Sequence, residues 1–225
     1  FINFCSHYNR NNNFHHLEEI MTEISNHIQR LTKLSEERKK ILSLTPEKAL
    51  NAILDSPQPA ALVHSFPEED FYFLIHDIGL EDSHLLLSLA SDKQWEYIID
   101  LEVWEKDKIE MQSTTRWLDL LFKVDPNRFI KWFLHQKTNF MESYLFKNIE
   151  VIVRETDQDP SEFGDEFFTH DDTYYVRFLD DPFKLEPGEP ESDKAIKEQR
   201  DAFLLKLFET LASFDHVTYQ NTLME

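Results

Sequence analysis

Residues 45–93 read TPEKALNAILDSPQPAALVHSFPEEDFYFLIHDIGLEDSHLLLSLASDK, and the fold turns on how this stretch is cut. Short apolar runs are interrupted at intervals of roughly ten to thirteen residues, the spacing of a stack of short packed helices. The cuts fall at Ser56-Pro57, Phe66-Pro67-Glu68-Glu69, Gly79-Leu80-Glu81-Asp82, Ser91-Asp92-Lys93 and, further on, Val124-Asp125-Pro126. Pro removes an amide donor, Gly releases the backbone, and acids favour the positive end of a helix, so each cut ends one helix and opens the next. Thr45-Pro46-Glu47-Lys48 is such an opening, with Thr45 as cap and Pro46 in the first turn. A helix through Leu54 follows, then one over Ala60 to Phe66. A third buries Phe71, Leu74, Ile75 and Ile78 until Gly79, and a central one carries Leu85, Leu86, Leu87 and Leu89.

Beyond these, Trp95, Ile98, Ile99, Val103 and Trp104 mark a helix, Trp117, Leu118, Leu121 and Phe122 a second, and Phe129 to Leu134 a third. The run through Phe140, Tyr144, Leu145, Ile149 and Ile152 is read as helical to its end, although Ile149, Val151 and Val153 alternate as a strand would. Towards the N-terminus, Ile20, Ile24, Ile28, Leu31, Leu34 and Ile41 recur at spacings of three, four and seven over residues 17–44, with charges between them. That is an amphipathic helix whose seam either packs on its own domain or pairs with another helix. Residues 1–16 are Asn- and His-rich without periodicity and read as a disordered tail. Met21 would serve as a start, and the chain reads as a fragment of something longer.

After Glu150 the composition changes. From Glu150 to Asp193 there are fifteen acidic residues against Arg154, Arg177 and Lys184, a local net of −12 in a chain carrying −20. Two aromatic, β-prone flanks surround Asp171-Asp172 between Phe167 and Phe178, which predicts a small hairpin in an acidic lobe. Leu185 to Glu191, with Pro187, Gly188 and Pro190, is a linker. Ala195 to Phe214 is a closing amphipathic helix through Ile196, Phe203, Leu204, Leu207, Phe208 and Leu211. The expected organisation is thus a tail at 1–16, a helix at 17–44, a superhelical, solenoid-like stack at 45–156, an acidic lobe and linker at 157–193, and a helical segment at 194–225: a mainly α fold.

Composition narrows function. With 41% hydrophobic residues and 19 Phe, the chain has the apolar area to fold. Three glycines leave no glycine-rich phosphate loop, and a charge of −20 repels nucleic acid. The basic triplet Arg38-Lys39-Lys40 suits the C-terminal turn of its helix. The single Cys5 forms no internal disulfide, no run approaches the roughly 20 apolar residues that span a bilayer, and a cytoplasmic setting without membrane insertion fits.

Three candidate sites emerge. Asp157, Asp159, Glu162 and Asp165 sit close enough in one loop to offer carboxylate oxygens to Mg2+ or Ca2+, although the EF-hand spacing fails at Gly164 and Phe168. His170-Asp171-Asp172 offers an imidazole and two carboxylates for a metal or for acid-base chemistry, and His64, His76 and His84 fall one per helix. For each, a solvated or structural role is the competing reading. The third is a surface for a protein partner, with Leu31, Trp104 and Trp117 as contact residues and the acidic lobe steering a basic partner.

The run from LTPEKALN to EKDKI (44–109), with YLFKNIEVIVRETDQDPSEFGDEFFTHDDTYYVRF (144–178), resembles the N-terminal part of an uncharacterised bacterial family, found mainly in sulfate-reducing and related anaerobes, with longer members. This resemblance implies no activity, substrate or catalytic residue. The repeated SFPEED and IGLEDS also resemble the helical repeats of MgtE-type magnesium transporters and of the flagellar motor switch, which implies a regulatory or assembly role. The expected function is a non-enzymatic interaction or regulatory module. Its alternatives are a domain responsive to a divalent metal, and part of an enzyme completed by a missing C-terminal region.

Overall fold

A computed structural model describes residues 2–106, 108–136, 138–180 and 191–224, with side chains from residue 16 onward except at 17, 19, 135, 136, 138 and 191–193. The fold is mainly α, with eleven helices and two small antiparallel sheets among the described residues. The chain divides into two compact units, Phe1–Gln94 and Trp95–Glu225.

The first unit holds α1 (Ile2–Ile41), α2 (Pro46–Leu54), α3 (Pro59–His64), α4 (Glu68–Ile78), α5 (His84–Leu89) and the start of α6 (Asp92–Glu102). From α2 onward, each begins near a cut read from the sequence. Pro46 and Pro59 occupy first-turn positions, where a missing amide hydrogen costs nothing. Gly79 ends α4 at φ +99°, a backbone state that disfavours a side chain. Ser91 and Gln94 form a capping box: Gln94 N–H donates to Ser91 Oγ at 3.3 Å and Ser91 N–H to Gln94 Oε1 at 2.8 Å. The Gln94 amide then donates to the carbonyls of Val63 and Phe66 at 2.9 and 3.2 Å, so one side chain opens α6 and closes α3. The core comprises Ile53, Leu62, Val63, Phe66, Phe71, Ile75, Leu86 and Leu87. Leu85, expected in a buried helix, is exposed, because a six-residue helix turns one face outward.

The structure departs from the sequence reading at α1 and at Trp104. The backbone is helical from Ile2, where a tail was expected over residues 1–16. No Gly or Pro interrupts that stretch, and Asn and His cost a helix at most about 0.7 kcal/mol per residue relative to Ala. Trp104 leaves α6 for a two-residue ribbon, β1 (Trp104–Glu105) with β2 (Lys108–Ile109), turned at Lys106 with φ 57°.

The second unit continues with α7 (Met111–Val124), α8 (Pro126–Gln136), α9 (Thr138–Asn148), β3 (Ile149–Val153), β4 (Tyr174–Phe178), α10 (Glu191–Phe214) and α11 (His216–Met224). Glu110 caps α7 by accepting from the Gln112 and Ser113 amides, and Asp125 caps α8 by accepting from Arg128 N–H at 3.0 Å. Residues 149–153, read from the sequence as the end of a helix, are a strand. Their β-branched alternation prevails because β4 supplies a full antiparallel partner, Ile149 facing Phe178 and Val153 facing Tyr174. The predicted pairing around Asp171-Asp172 survives only as a bridge between Phe168 and Val176. The linker expected over Leu185–Glu191 falls almost wholly outside the described residues.

The core of this unit is aromatic. Trp95 meets Trp132 edge-on at 5.8 Å under the guanidinium of Arg128, and Phe122 and Phe129 meet Phe203 of α10. Trp117 is buried and its indole N–H donates to Glu102 at 3.0 Å, which withdraws it from the proposed contact residues. Tyr144, hydrogen-bonded to Thr115 at 2.9 Å, is fully buried, and that burial pushes its phenol far above the usual range.

Candidate functional site

The surface of greatest interest lies on α1. Ile20, Ile24, Ile28 and Leu31 recur at helical spacing, and with Met21 they make one apolar stripe about 16 Å long at 1.5 Å per residue. Every one of them is solvent-exposed: Ile20 38%, Met21 70%, Ile24 53%, Ile28 56% and Leu31 52%. Isolated exposed apolar residues are ordinary, but a continuous stripe is the mark of a contact surface. The same pattern further along α1 is covered. Leu34 is half-buried and Ile41 buried, where α1 packs on α2 and α3. Arg30 donates to Gln58 at 2.8 Å and Arg38 to the Ser65 carbonyl, anchoring the covered part to the turns that flank α3. A shallow depression beside this anchor is lined by Arg30, Leu34, Glu37, Pro57 and Gln58.

The second surface is the excursion between β3 and β4. Glu155, Asp157, Asp159, Glu162, Asp165 and Glu166 are all exposed. The loop that carries them is fixed. Arg154 donates to the Gln158 carbonyl at 2.8 Å and pairs with Asp172, Arg177 pairs with Glu150 and lies 3.7 Å from Glu166, and Phe163 stacks on Tyr175 at 3.7 Å. Both described arginines of the lobe are therefore engaged by carboxylates at its base. Asp159 caps a turn of 3-10 helix at Pro160–Glu162, and the backbone hydrogen bond from Ser161 N–H, 2.9 Å away, holds its carboxyl below the usual range. Among the described residues, no three His, Cys, Asp or Glu side chains are grouped to hold a metal ion, whether at Asp157, Asp159, Glu162 and Asp165 or at His64, His76 and His84.

His170, Asp171 and Asp172 diverge. His170 is exposed and packs edge-on to Phe168 and Tyr219. Asp172 adopts φ 57°, a turn conformation that Asp tolerates, and accepts from Tyr175 Oη at 2.6 Å. The Asp171 side chain is 3% exposed and accepts from Thr173 N–H at 3.0 Å, Tyr174 N–H at 2.9 Å and Gln220 Nε2 at 3.0 Å. Burial pushes its carboxyl up, but the donors from Tyr174, Gln220 and Thr173, with His216 nearby, outweigh this and leave it below the usual range. These residues build a turn and dock α11 on it. Sequence reasoning missed the partners, Gln220 and His216, because no separate helix was read after Phe214; Asp215, which accepts from Val217 N–H at 3.1 Å, was the available start signal. Tyr219 on the same helix is buried, and burial pushes its phenol up to about 12.

No described helix is long and apolar enough to cross a membrane. A protein-family model described as a family of unknown function, DUF6178, matches residues 25–225, and the chain belongs to that family. No curated protein and no solved structure matches it.

Proposed function

Taking membership of DUF6178 as the premise, we propose that this chain is a non-enzymatic interaction or regulatory module that works in the cytoplasm through the exposed face of α1. The observation that carries this reading is the stripe from Ile20 to Leu31, exposed in a helix whose continuation is packed. Covering such side chains with a partner removes apolar area from water at about 25 cal/mol per Å2, the same driving force that folds the core. The acidic lobe assists by field rather than by contact geometry: its exposed carboxylates favour the approach of basic proteins and disfavour nucleic acid. The looser likeness to helical repeats of transporters and motor switches agrees with an assembly role.

A photoreactive amino acid placed singly at Ile24 and Ile28 tests the reading in cells, with Leu205, an exposed apolar residue of α10, as control. Protein adducts concentrated at the two α1 positions are expected. Yields no higher than at Leu205 would remove α1 as the working surface.

A further inference from the structure

We propose that the stripe of α1 is covered by a second copy of this chain, the two helices packing antiparallel about a two-fold axis near residues 26 and 27. This inference rests on the interaction reading above and names its partner. Three features of α1 lead to it.

The first is charge balance. Residues 17–41 contain five acids, Glu18, Glu19, Glu23, Glu36 and Glu37, and five bases, Arg30, Lys33, Arg38, Lys39 and Lys40. In a chain carrying −20 this length of α1 is neutral, so two copies can meet along it without setting like charge against like. The second is the order of those charges. Around the stripe, Glu18, Glu19 and Glu23 precede its middle, whereas Arg30 and Lys33 follow it. Reversing one helix against the other brings the acidic end of each to the basic end of its mate.

The third is the flank on which the nearest charges stand. Seven residues at 100° each return almost to the same angle, so Glu23 and Arg30 lie on one side of the stripe formed by Ile20, Ile24, Ile28 and Leu31. In an antiparallel pair, like flanks face one another. With positions that sum to about 53 opposed, Glu23 of each copy faces Arg30 of the other, Ile24 and Ile28 form the central layers, and Ile20 and Leu31 the outer ones. A parallel pair would instead set this flank against the opposite one, where Ser25 and Thr32 carry no charge. Arg30 donates to the uncharged amide of Gln58 in the single chain, an exposed hydrogen bond that leaves its charge available to a carboxylate of the second copy. Twelve residues of helix on each side make a small interface, at or below the low end of the range for specific association, so the pair is a weak and reversible dimer.

Sedimentation velocity on the full chain, over a concentration series at low and physiological salt, tests this. The wild type should shift from monomer towards dimer as concentration rises, less so at the higher salt. Ile24→Asp with Ile28→Asp should remain monomeric throughout. Glu23→Lys alone and Arg30→Glu alone should each dimerise about five- to tenfold more weakly, because two attractive pairs become repulsive. An equimolar mixture of these two single variants should regain the wild-type association, since each then presents the charge the other lacks. All these positions are exposed or half-buried on the helix surface, and circular dichroism should show unchanged helix content. A wild type that stays monomeric at every concentration overturns the proposal, as does a mixture that associates no better than either variant alone. The photoreactive residue at Ile24 separates this inference from the reading beneath it. Adducts to a different protein from a monomeric chain would sink the dimer and leave the interaction module standing, whereas no adducts at all would sink both.

Discussion

α1 and α10 are both long helices with apolar residues at helical spacing, yet they end in different surroundings. On α10, Ile196, Phe203, Leu204, Leu207, Phe208 and Leu211 are all buried, packed chiefly against α7 and α11. On α1, Ile20, Ile24, Ile28 and Leu31 stand in solvent, and burial begins only towards the C-terminal end. Periodicity thus says which residues can be buried together, not whether anything covers them. Further differences separate the two. α10 carries Arg200 into the interior, where its guanidinium donates to Asn148 Oδ1 at 3.3 Å and to the Leu179 carbonyl and pairs with Asp201, whereas the exposed length of α1 has only surface charges beside it. A buried cation with several acceptors specifies one docking geometry; an apolar stripe with flanking charges leaves the partner open.

The sharpest way to break this contrast is to truncate both faces. Phe208→Ala should destabilise the chain by about 3–5 kcal/mol in urea unfolding, through lost burial and the cavity left beside Phe168 and Tyr219. If it cost less than 1 kcal/mol, α10 would not be the fixed element described. Next in size, Arg200→Met should cost about 2–3 kcal/mol, because the Asn148 and Leu179 acceptors lose their donor. A neutral result would mean that packing alone positions α10.

Asp171→Asn should cost about 1–2 kcal/mol at neutral pH, by weakening the turn that docks α11. Because the folded carboxyl titrates below its unfolded value, the stability it adds is complete above the unfolded pKa of about 3.9 and is lost as pH falls through the lower folded value. The gap between wild type and variant, followed by thermal unfolding across an acid series, should therefore close below about pH 3.9. A gap that widened on acidification would reverse the assignment. The smallest effect belongs to α1: Ile24→Ala should change stability at low protein concentration by no more than about 0.5 kcal/mol. A large loss there would mean that the stripe is covered within the single chain.

Much of the helical order was legible. Pro46, Pro59, the acids after Pro67, Gly79 and Pro126 each mark a helix end or start that the structure uses, because these signals act through local backbone geometry. β3 was not. Ile149–Val153 suits a helix or a strand, and the choice was made by β4, twenty-one residues beyond its end, whose hydrogen bonds no local window contains. The candidate residues divide in the same way. Leu31 and Trp104 are exposed, Trp117 is buried, and Asp171 proved to be the acceptor for a turn and a distant helix.

By itself the sequence determined a mainly α chain, the breaks between its short helices, the balanced charge of residues 17–41 and the gathering of acid after Glu150. These follow from local propensity and composition, which need no knowledge of neighbours. Only the tertiary structure decided that the apolar face of α10 is covered and that of α1 is not, that β3 is a strand, and that Asp171 is a buried acceptor. Burial and hydrogen bonding depend on which distant segment arrives, and that is a property of the folded whole.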